Sequence, residues 1–470
     1  MNTSPVRSPL PRKESRINGL PHGVSADEEN ALWGDGAGFL RPRDHVRWLS
    51  HFITLEFGLS RMLAGWIPAC GNLDWKIELP RFPFENMQQA RRLRERMEEL
   101  PGGVGRVEPH PNISRFLDSI GPADHGAAFV HALFHQIFPA LDRAYRLYQE
   151  RCDAIFDAPT LYVLRGVLAE KRDQLDWARP FFSSHPMAGW NPDQSRPYLE
   201  HVKECLARLG DLTPDGLVRS MELAASPVTE PAGPFPKVRS NDPRLILRPT
   251  IPNELKGNPV HGTLREIVYH DATEWQVIDP MCEIFHGMPN MPFDFFVDFS
   301  RHIWDECRHS RMGLRRLVEI GFDPFRDFEW CGGTERSASL AEYFLGLTLV
   351  GEACSFTRKK GSIPFFLKNG DTRSAMLPEV DCVDEQLHVS FGHKWAAKIF
   401  ETAYGQVAPK DEMTRDARAK ILQGVLNNPN DHGAAKEYLM SLDEDSRNDL
   451  VNSFSGFCGA IEFKLDLTVR

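Results

Sequence analysis

The sequence predicts an all-α protein: a four-helix bundle preceded by an additional helical N-terminal domain. Three observations carry this. Long segments place apolar residues at i, i+3 and i+4, the period of a helix with one buried face. A proline-dense stretch divides those segments into two groups. The second group carries one nine-residue pattern twice, D-E-x-x-H-x-x-x-G, at Asp305–Gly313 and again at Asp384–Gly392.

In chain order, residues 1–40 combine Pro, Gly, Ser and charge without periodicity and read as a flexible N-terminal arm. Residues 41–212 form the helical N-terminal domain. Its clearest helices are 43–66, stopped by Pro68, then 124–152, and 160–180, closed by Pro180; 86–100 and 196–209 are shorter and more charged. Between Thr213 and Pro259 there are nine prolines. Each removes a backbone donor and restricts its predecessor, so 213–260 reads as a linker or an extended strap. Residues 261–405 form the bundle, with helices over about 263–287, 292–320, 335–360 and 376–404. The first opens on the capping-box sequence Thr263-Leu264-Arg265-Glu266, and the last two stop at Gly361 and Gly405. Residues 406–470 read as a C-terminal extension of short polar helices packed across the bundle end.

Composition narrows the function. With 470 residues, 41% of them hydrophobic, the chain can bury sizeable cores. A net charge of −10 argues against nucleic acid as the main partner. No apolar run approaches the roughly 18 residues that span a bilayer, and the polar, proline-rich N-terminus lacks a signal-peptide core, so a cytoplasmic protein without a membrane partner is expected. The nine cysteines include no C-x-x-C; several, such as Cys282, Cys307 and Cys354, lie in apolar helical sequence and read as small buried thiols.

The repeated pattern is the main clue to chemistry. Residues three apart on a helix project from nearly the same face, so Glu306/His309 and Glu385/His388 can each offer one oxygen and one imidazole nitrogen to an ion. Glu274 lies 32 residues before Glu306 and Glu352 lies 33 before Glu385, which gives two similar hairpins. All four glutamates fall within about five residues of their expected helix midpoints, some 8 Å along the axis, so they can meet at one level. A third E-x-x-H, Glu283/His286, is turned about 180° from Glu274 and reads as surface.

This set, one Glu from each of two helices and Glu-x-x-His from each of the others, resembles the ferritin-like di-metal carboxylate superfamily. The resemblance covers about 263–404. It implies a ferritin-like bundle binding two metal ions through Glu274, Glu306, His309, Glu352, Glu385 and His388. Four carboxylates would balance two divalent ions, and a carboxylate and imidazole set suits iron first, with manganese as the alternative. In the family, an Asp placed as Asp305 and Asp384 are accepts a hydrogen bond from a metal-bound imidazole. His302, one turn before Glu306, matches the extra histidine of some N-oxygenases in this superfamily; a core role is its alternative. Where the radical-bearing reductase subunit has a Tyr, this chain has Gly313, with Gly392 at the equivalent position, so radical storage is not expected. The two glycines could border a substrate cavity or allow close helix packing.

The resemblance thus implies an oxygen-dependent non-haem di-iron oxidoreductase, an oxidase or monooxygenase, acting on a small organic substrate. Dioxygen and an external electron donor would be its partners, and a homodimer is compatible. Iron oxidation or peroxide detoxification, as in ferroxidases, rubrerythrin or manganese catalase, is the alternative enzyme reading; a metal-bearing scaffold is the non-catalytic one. The N-terminal domain holds a fainter echo in Glu56, His131, His135, Glu170 and Asp173, and reads as a degenerate bundle that has lost its metals.

Overall fold

A computed structural model describes residues 40–103, 111–187, 189–210, 212–214, 226–228, 239–248, 263–264, 266–268, 271–331, 339–405, 408–428 and 434–461. The expected arm, apart from Leu40, and most of the 213–260 segment lie outside them. The described chain is all-helical except for two three-residue strands, and none of its helices is long and apolar enough to cross a membrane.

The N-terminal helices are α1 (Pro42–Trp66), α2 (Leu73–Glu78), α3 (Arg81–Glu98), α4 (Pro111–Ile120), α5 (Gly126–Ala132), α6 (Phe138–Glu150), α7 (Ala158–Ser184) and α8 (Arg196–Leu209). Pro42 at the first position of α1 presets the helical φ where no donor is missed. A π-turn, Leu133–Ile137, joins α5 to α6. Pro139 explains it: proline offers no N–H to the carbonyl four residues back and crowds it, so the backbone widens by one residue. Contrary to expectation, α7 continues through Pro180 to Ser184.

The second half contains α9 (Trp275–Gly287), α10 (Phe293–Glu319), α11 (Leu340–Gly346), α12 (Glu352–Lys368) and α13 (Thr372–Tyr404), then α14 (Lys410–Asn427), α15 (Ala434–Ser441), α16 (Glu444–Asn452) and α17 (Phe454–Ile461). The start of α13 is capped by Asp371, whose carboxylate accepts the Ser374 N–H at 2.9 Å; its end is Gly405, at φ +70°, where a side chain would be strained. Two expected helices differ in detail. The first is interrupted: 263–264 and 266–268 are helical, but Ala272–Glu274 is a 3-10 turn, so Glu274 sits at the entrance of α9 and not mid-helix. The third does not stop at Gly361. A π-turn, Leu347–Gly351, links α11 to α12, which runs past Gly361 and Pro364 to Lys368.

One hydrophobic core joins the two halves, because α1 packs on α9 and α3 on α10. Described parts of the 213–260 segment stitch them further. Asp242 accepts the Leu73 N–H at 2.8 Å, and the strand β1 (Ile246–Arg248) pairs in parallel with β2 (Glu329–Cys331), Ile246 opposite Glu329. The third E-x-x-H is not surface: Glu283 is buried in a two-pronged ion pair with Arg239, at 2.9 and 3.1 Å, and His286 Nδ1 bonds the Arg61 carbonyl at 2.9 Å. A smaller core under α14, α15 and α17 includes Leu422, Leu439 and Phe457. There Cys354 and Cys458, expected as free thiols, form a disulfide between α12 and α17.

Candidate metal centre

The helical period of α10 buries a stripe of Phe295, Phe299, His302, Glu306, His309 and Gly313. Its aromatic end meets Phe344 and Trp395 edge-to-face, with ring centroids 5.4 to 5.8 Å apart, next to the polar residues that follow. From α13, Glu385 and His388 are buried on the facing side; Glu352 opens α12 and Glu274 ends the 3-10 turn. All six sequence-selected residues therefore converge, together with His302.

Two groups of donors share Glu306: His302, Glu306, Glu352 and His388 form one, and Glu274, Glu306 and His309 the other, each offering atoms within 4.8 Å of one another. His309 Nδ1 lies 2.9 Å from Glu274 Oε2, and His388 Nδ1 lies 3.2 Å from Glu306 Oε1 and 3.5 Å from Glu385 Oε2. His302 Nε2 is 2.7 Å from Glu352 Oε1, and its ring stacks on His388 at 3.7 Å. The opposite ring nitrogens are held crosswise. His309 Nε2 meets Asp384 at 3.1 Å and His388 Nε2 meets Asp305 at 3.4 Å, so each aspartate serves the histidine of the other motif. A proton on Nε2 leaves the Nδ1 lone pair facing the glutamates. Arg301 and Arg308 brace both aspartates from outside: Arg301 bonds Asp305 at 2.7 Å, and Arg308 bonds Asp384 at 3.0 Å as well as Asp305.

The chemistry of this donor set fits a cation. Glu274 Oε2, Glu306 Oε1, Glu352 Oε2, Glu385 Oε2 and the Nδ1 atoms of His309 and His388 are buried without a hydrogen-bond partner. Such atoms cost free energy unless something meets them. Ion-free, the cluster compensates by holding protons. Burial works against charge on His309, yet Asp381 and Glu274 raise its pKa well above the ordinary value; for His388 burial is likewise outweighed, by Asp305, Glu306 and Glu385. Glu274 is pushed well up, by burial and then by Asp381. Burial also opposes the Glu306 charge, but the surrounding imidazoles hold its pKa well below the usual range. A divalent ion at Nδ1 would take the place of the imidazole protons.

Three residues of this environment were not singled out from the sequence. Lys359 is buried with its ammonium 2.5 Å from Glu385 Oε1, 2.6 Å from Asp381 Oδ2 and 3.4 Å from Glu274 Oε1. Asp381 is fully buried, and Asp271 nearly so. Spacing could have found two of them, because Lys359 lies two turns after Glu352 and Asp381 one turn before Glu385. Of the arginines after Glu306, Arg308 bonds the two aspartates, whereas Arg311 bonds Glu78 and Arg315 bonds Glu319.

Among the described residues, the space that a side chain would take at Gly313 and Gly392 is already filled. A Cβ on Gly313 would sit 2.2 Å from the Ala272 nitrogen and 2.7 Å from its Cα; one on Gly392 would sit 2.4 Å from Thr348 Oγ1. Gly313 admits the backbone of the 3-10 turn that leads to Glu274, and Gly392 admits the Thr348 and Leu349 side chains of the π-turn that leads to Glu352. The open space lies elsewhere. A cavity of about 550 Å³ between α11, α13 and α14 is lined by Tyr343, Gly346, Phe400, Tyr404, Met413 and Ala417.

The N-terminal echo does not assemble. Glu56 pairs with Lys171 at 2.8 Å and accepts from Tyr145 at 3.0 Å, whereas Glu170 bonds Arg92 and Gln89. The His131 and His135 rings lie 4.3 Å apart, tilted by 50°, beside Trp190 and Phe182 respectively.

Residues 213–434 match a protein family described only as a protein of unknown function, DUF455. That span contains every residue of the cluster and stops short of α1 to α8. No curated protein and no solved structure matches the chain.

Proposed function

We propose that this protein is a ferritin-like di-iron enzyme that activates dioxygen to oxidise a small organic molecule. The observation carrying the proposal is the buried set of six unpartnered glutamate oxygens and imidazole nitrogens, five of them from residues of the two groups that share Glu306. One ion would be held by His302, Glu306, Glu352 and His388, the other by Glu274, Glu306 and His309, with Glu385 beside both. Oxygen and nitrogen donors without thiolate favour iron or manganese over structural zinc. Two bound irons would supply the electrons that reduce dioxygen. The protein's own contribution is orientation and exclusion. Asp305 and Asp384 fix the imidazole tautomers, and Phe295, Phe299, Phe344 and Trp395 keep water from one side.

The cavity beside Tyr343 favours an organic substrate over iron storage, because its lining is mainly apolar and aromatic. Elemental analysis of protein loaded anaerobically with Fe²⁺ should give about two irons per chain, followed by oxygen consumption on mixing with air. Absence of bound iron or manganese overturns the reading. Two irons without oxygen uptake, with any organic compound tested, leaves a metal-bearing scaffold. Ala417→Trp, which fills the cavity, should keep the iron and abolish organic turnover; unchanged turnover would place the substrate elsewhere.

A further inference from the structure

We propose that Lys359 is a permanent third cation of this centre, remaining in place as an ammonium while two divalent ions are bound. The inference rests on the two-metal reading above and deepens it. Lys359 is 2% exposed, on the ligand-bearing face of α12, and its Nζ approaches three carboxylates at once. Two features show which part of the cluster it uses.

The first is the choice of oxygens. Lys359 contacts Oε1 of Glu274 and Oε1 of Glu385, whereas Oε2 of the same residues faces the His309 and His388 Nδ1 atoms and lacks a hydrogen-bond partner. The ammonium thus grips the outer oxygens and leaves the inner ones to an ion. The second is charge. Besides Asp271, five carboxylates, those of Glu274, Glu306, Glu352, Asp381 and Glu385, surround the donor atoms, and Asp305 and Asp384 are matched by Arg301 and Arg308. Two divalent ions balance four of the five. The Lys359 ammonium balances the fifth, and burial makes every uncompensated charge costly. Lys359 is then a positioning residue: with Asp381 as its own counter-ion, it clamps Glu274 and Glu385 at the angle at which their inner oxygens point to the metals.

A charge-compensation cycle tests this on the full-length chain loaded with Mn²⁺. Ions per chain, the Mn²⁺ dissociation constant and the melting temperature of the ion-free form are measured for wild type, Lys359→Met, Asp381→Asn and the double variant. Wild type should bind two ions. Asp381→Asn leaves one positive charge in excess and should weaken Mn²⁺ binding about tenfold or more. Lys359→Met should still take two ions while its ion-free form melts earlier. The double variant, which has the wild-type net charge, should return to within about threefold of wild-type affinity. One ion more in Lys359→Met than in wild type would show that the ammonium occupies a metal position, and would overturn the proposal. So would additive losses in the double variant, or single variants indistinguishable from wild type. Wild-type protein that takes no Mn²⁺ or Fe²⁺ would instead bring down the two-metal reading, and this inference with it. Should Lys359→Met not fold alone, the comparison of Asp381→Asn with the double variant still decides.

Discussion

Two of the regions that bury charge between helices solve the problem differently. Between α1 and α7, Glu56 meets Lys171, and the ammonium also reaches Asn86 at 2.9 Å and Gln174 at 3.3 Å, while Tyr145 takes the second Glu56 oxygen. One negative and one positive charge close on each other with their hydrogen bonds made. Between α10, α12 and α13, one lysine meets three carboxylates of a larger acidic cluster, and inner oxygens and imidazole nitrogens are left over. A buried lysine completes the first site and only part of the second. A Glu on a core helix is thus not itself a ligand signal; an excess of carboxylate over ammonium is.

The largest effect separating the regions should come from metal. An ion that binds only the folded chain stabilises it by about 4 kcal/mol at a thousandfold excess over its dissociation constant. Mn²⁺ or Fe²⁺ should therefore raise the melting temperature of wild-type protein, and a chelator should reverse the rise. Glu306→Ala should abolish it and leave fewer than one ion per chain, because both donor groups contain Glu306. Glu56→Gln should leave the metal response intact. If Glu56→Gln lost metal and Glu306→Ala did not, the comparison would be inverted.

A second break targets the closed site. Lys171→Met leaves the Glu56 carboxylate buried and unpaired, which costs about 3–5 kcal/mol, and added metal should not repair it. Pairing it with Glu56→Leu should recover most of the loss, because apolar replacement of a whole buried pair is often neutral. Denaturant unfolding of the two variants with and without Mn²⁺ reads this directly. Metal rescue of Lys171→Met would mean that the N-terminal site also takes an ion.

The sequence carried the second site further than the first. Order and spacing of the two Glu-x-x-His motifs were enough to bring Glu306, His309, Glu385 and His388 together, because a regular helix converts spacing into direction. Glu274 and Glu352 arrive by less regular routes, a 3-10 turn and the end of a π-turn, and single-sequence periodicity does not register either. The glycines were visible but not their use, since close approach depends on a segment 41 or 44 residues away, the Ala272 backbone for Gly313 and the Thr348 side chain for Gly392. The Glu283–Arg239 pair and the Cys354–Cys458 disulfide were hidden for the same reason: one partner lies in the proline-dense segment, the other 104 residues downstream. Glu56 looked like a ligand because its lysine comes 115 residues later.

The smallest effect concerns the remaining N-terminal histidines, which the metal reading leaves without a role. Burial, and then the neighbouring His135, push the His131 pKa down to about 4, while burial and Arg179 lower that of His135. An unfolded histidine titrates near 6.5. Between about pH 6.5 and 4 the unfolded chain therefore binds more protons than the folded one, so stability is complete above this window and declines as pH falls through it. His131 is partly open to water, so the loss should be modest, on the order of 1 kcal/mol. His131→Gln should flatten the acid limb of a stability-against-pH curve measured by urea unfolding in the presence of chelator, which removes any contribution from bound metal. An unchanged acid limb in this variant would mean that the pair is relaxed enough to protonate in the folded state. The closed hydrogen-bonding around Glu56 and Lys171 would then be confined to those residues and their direct partners.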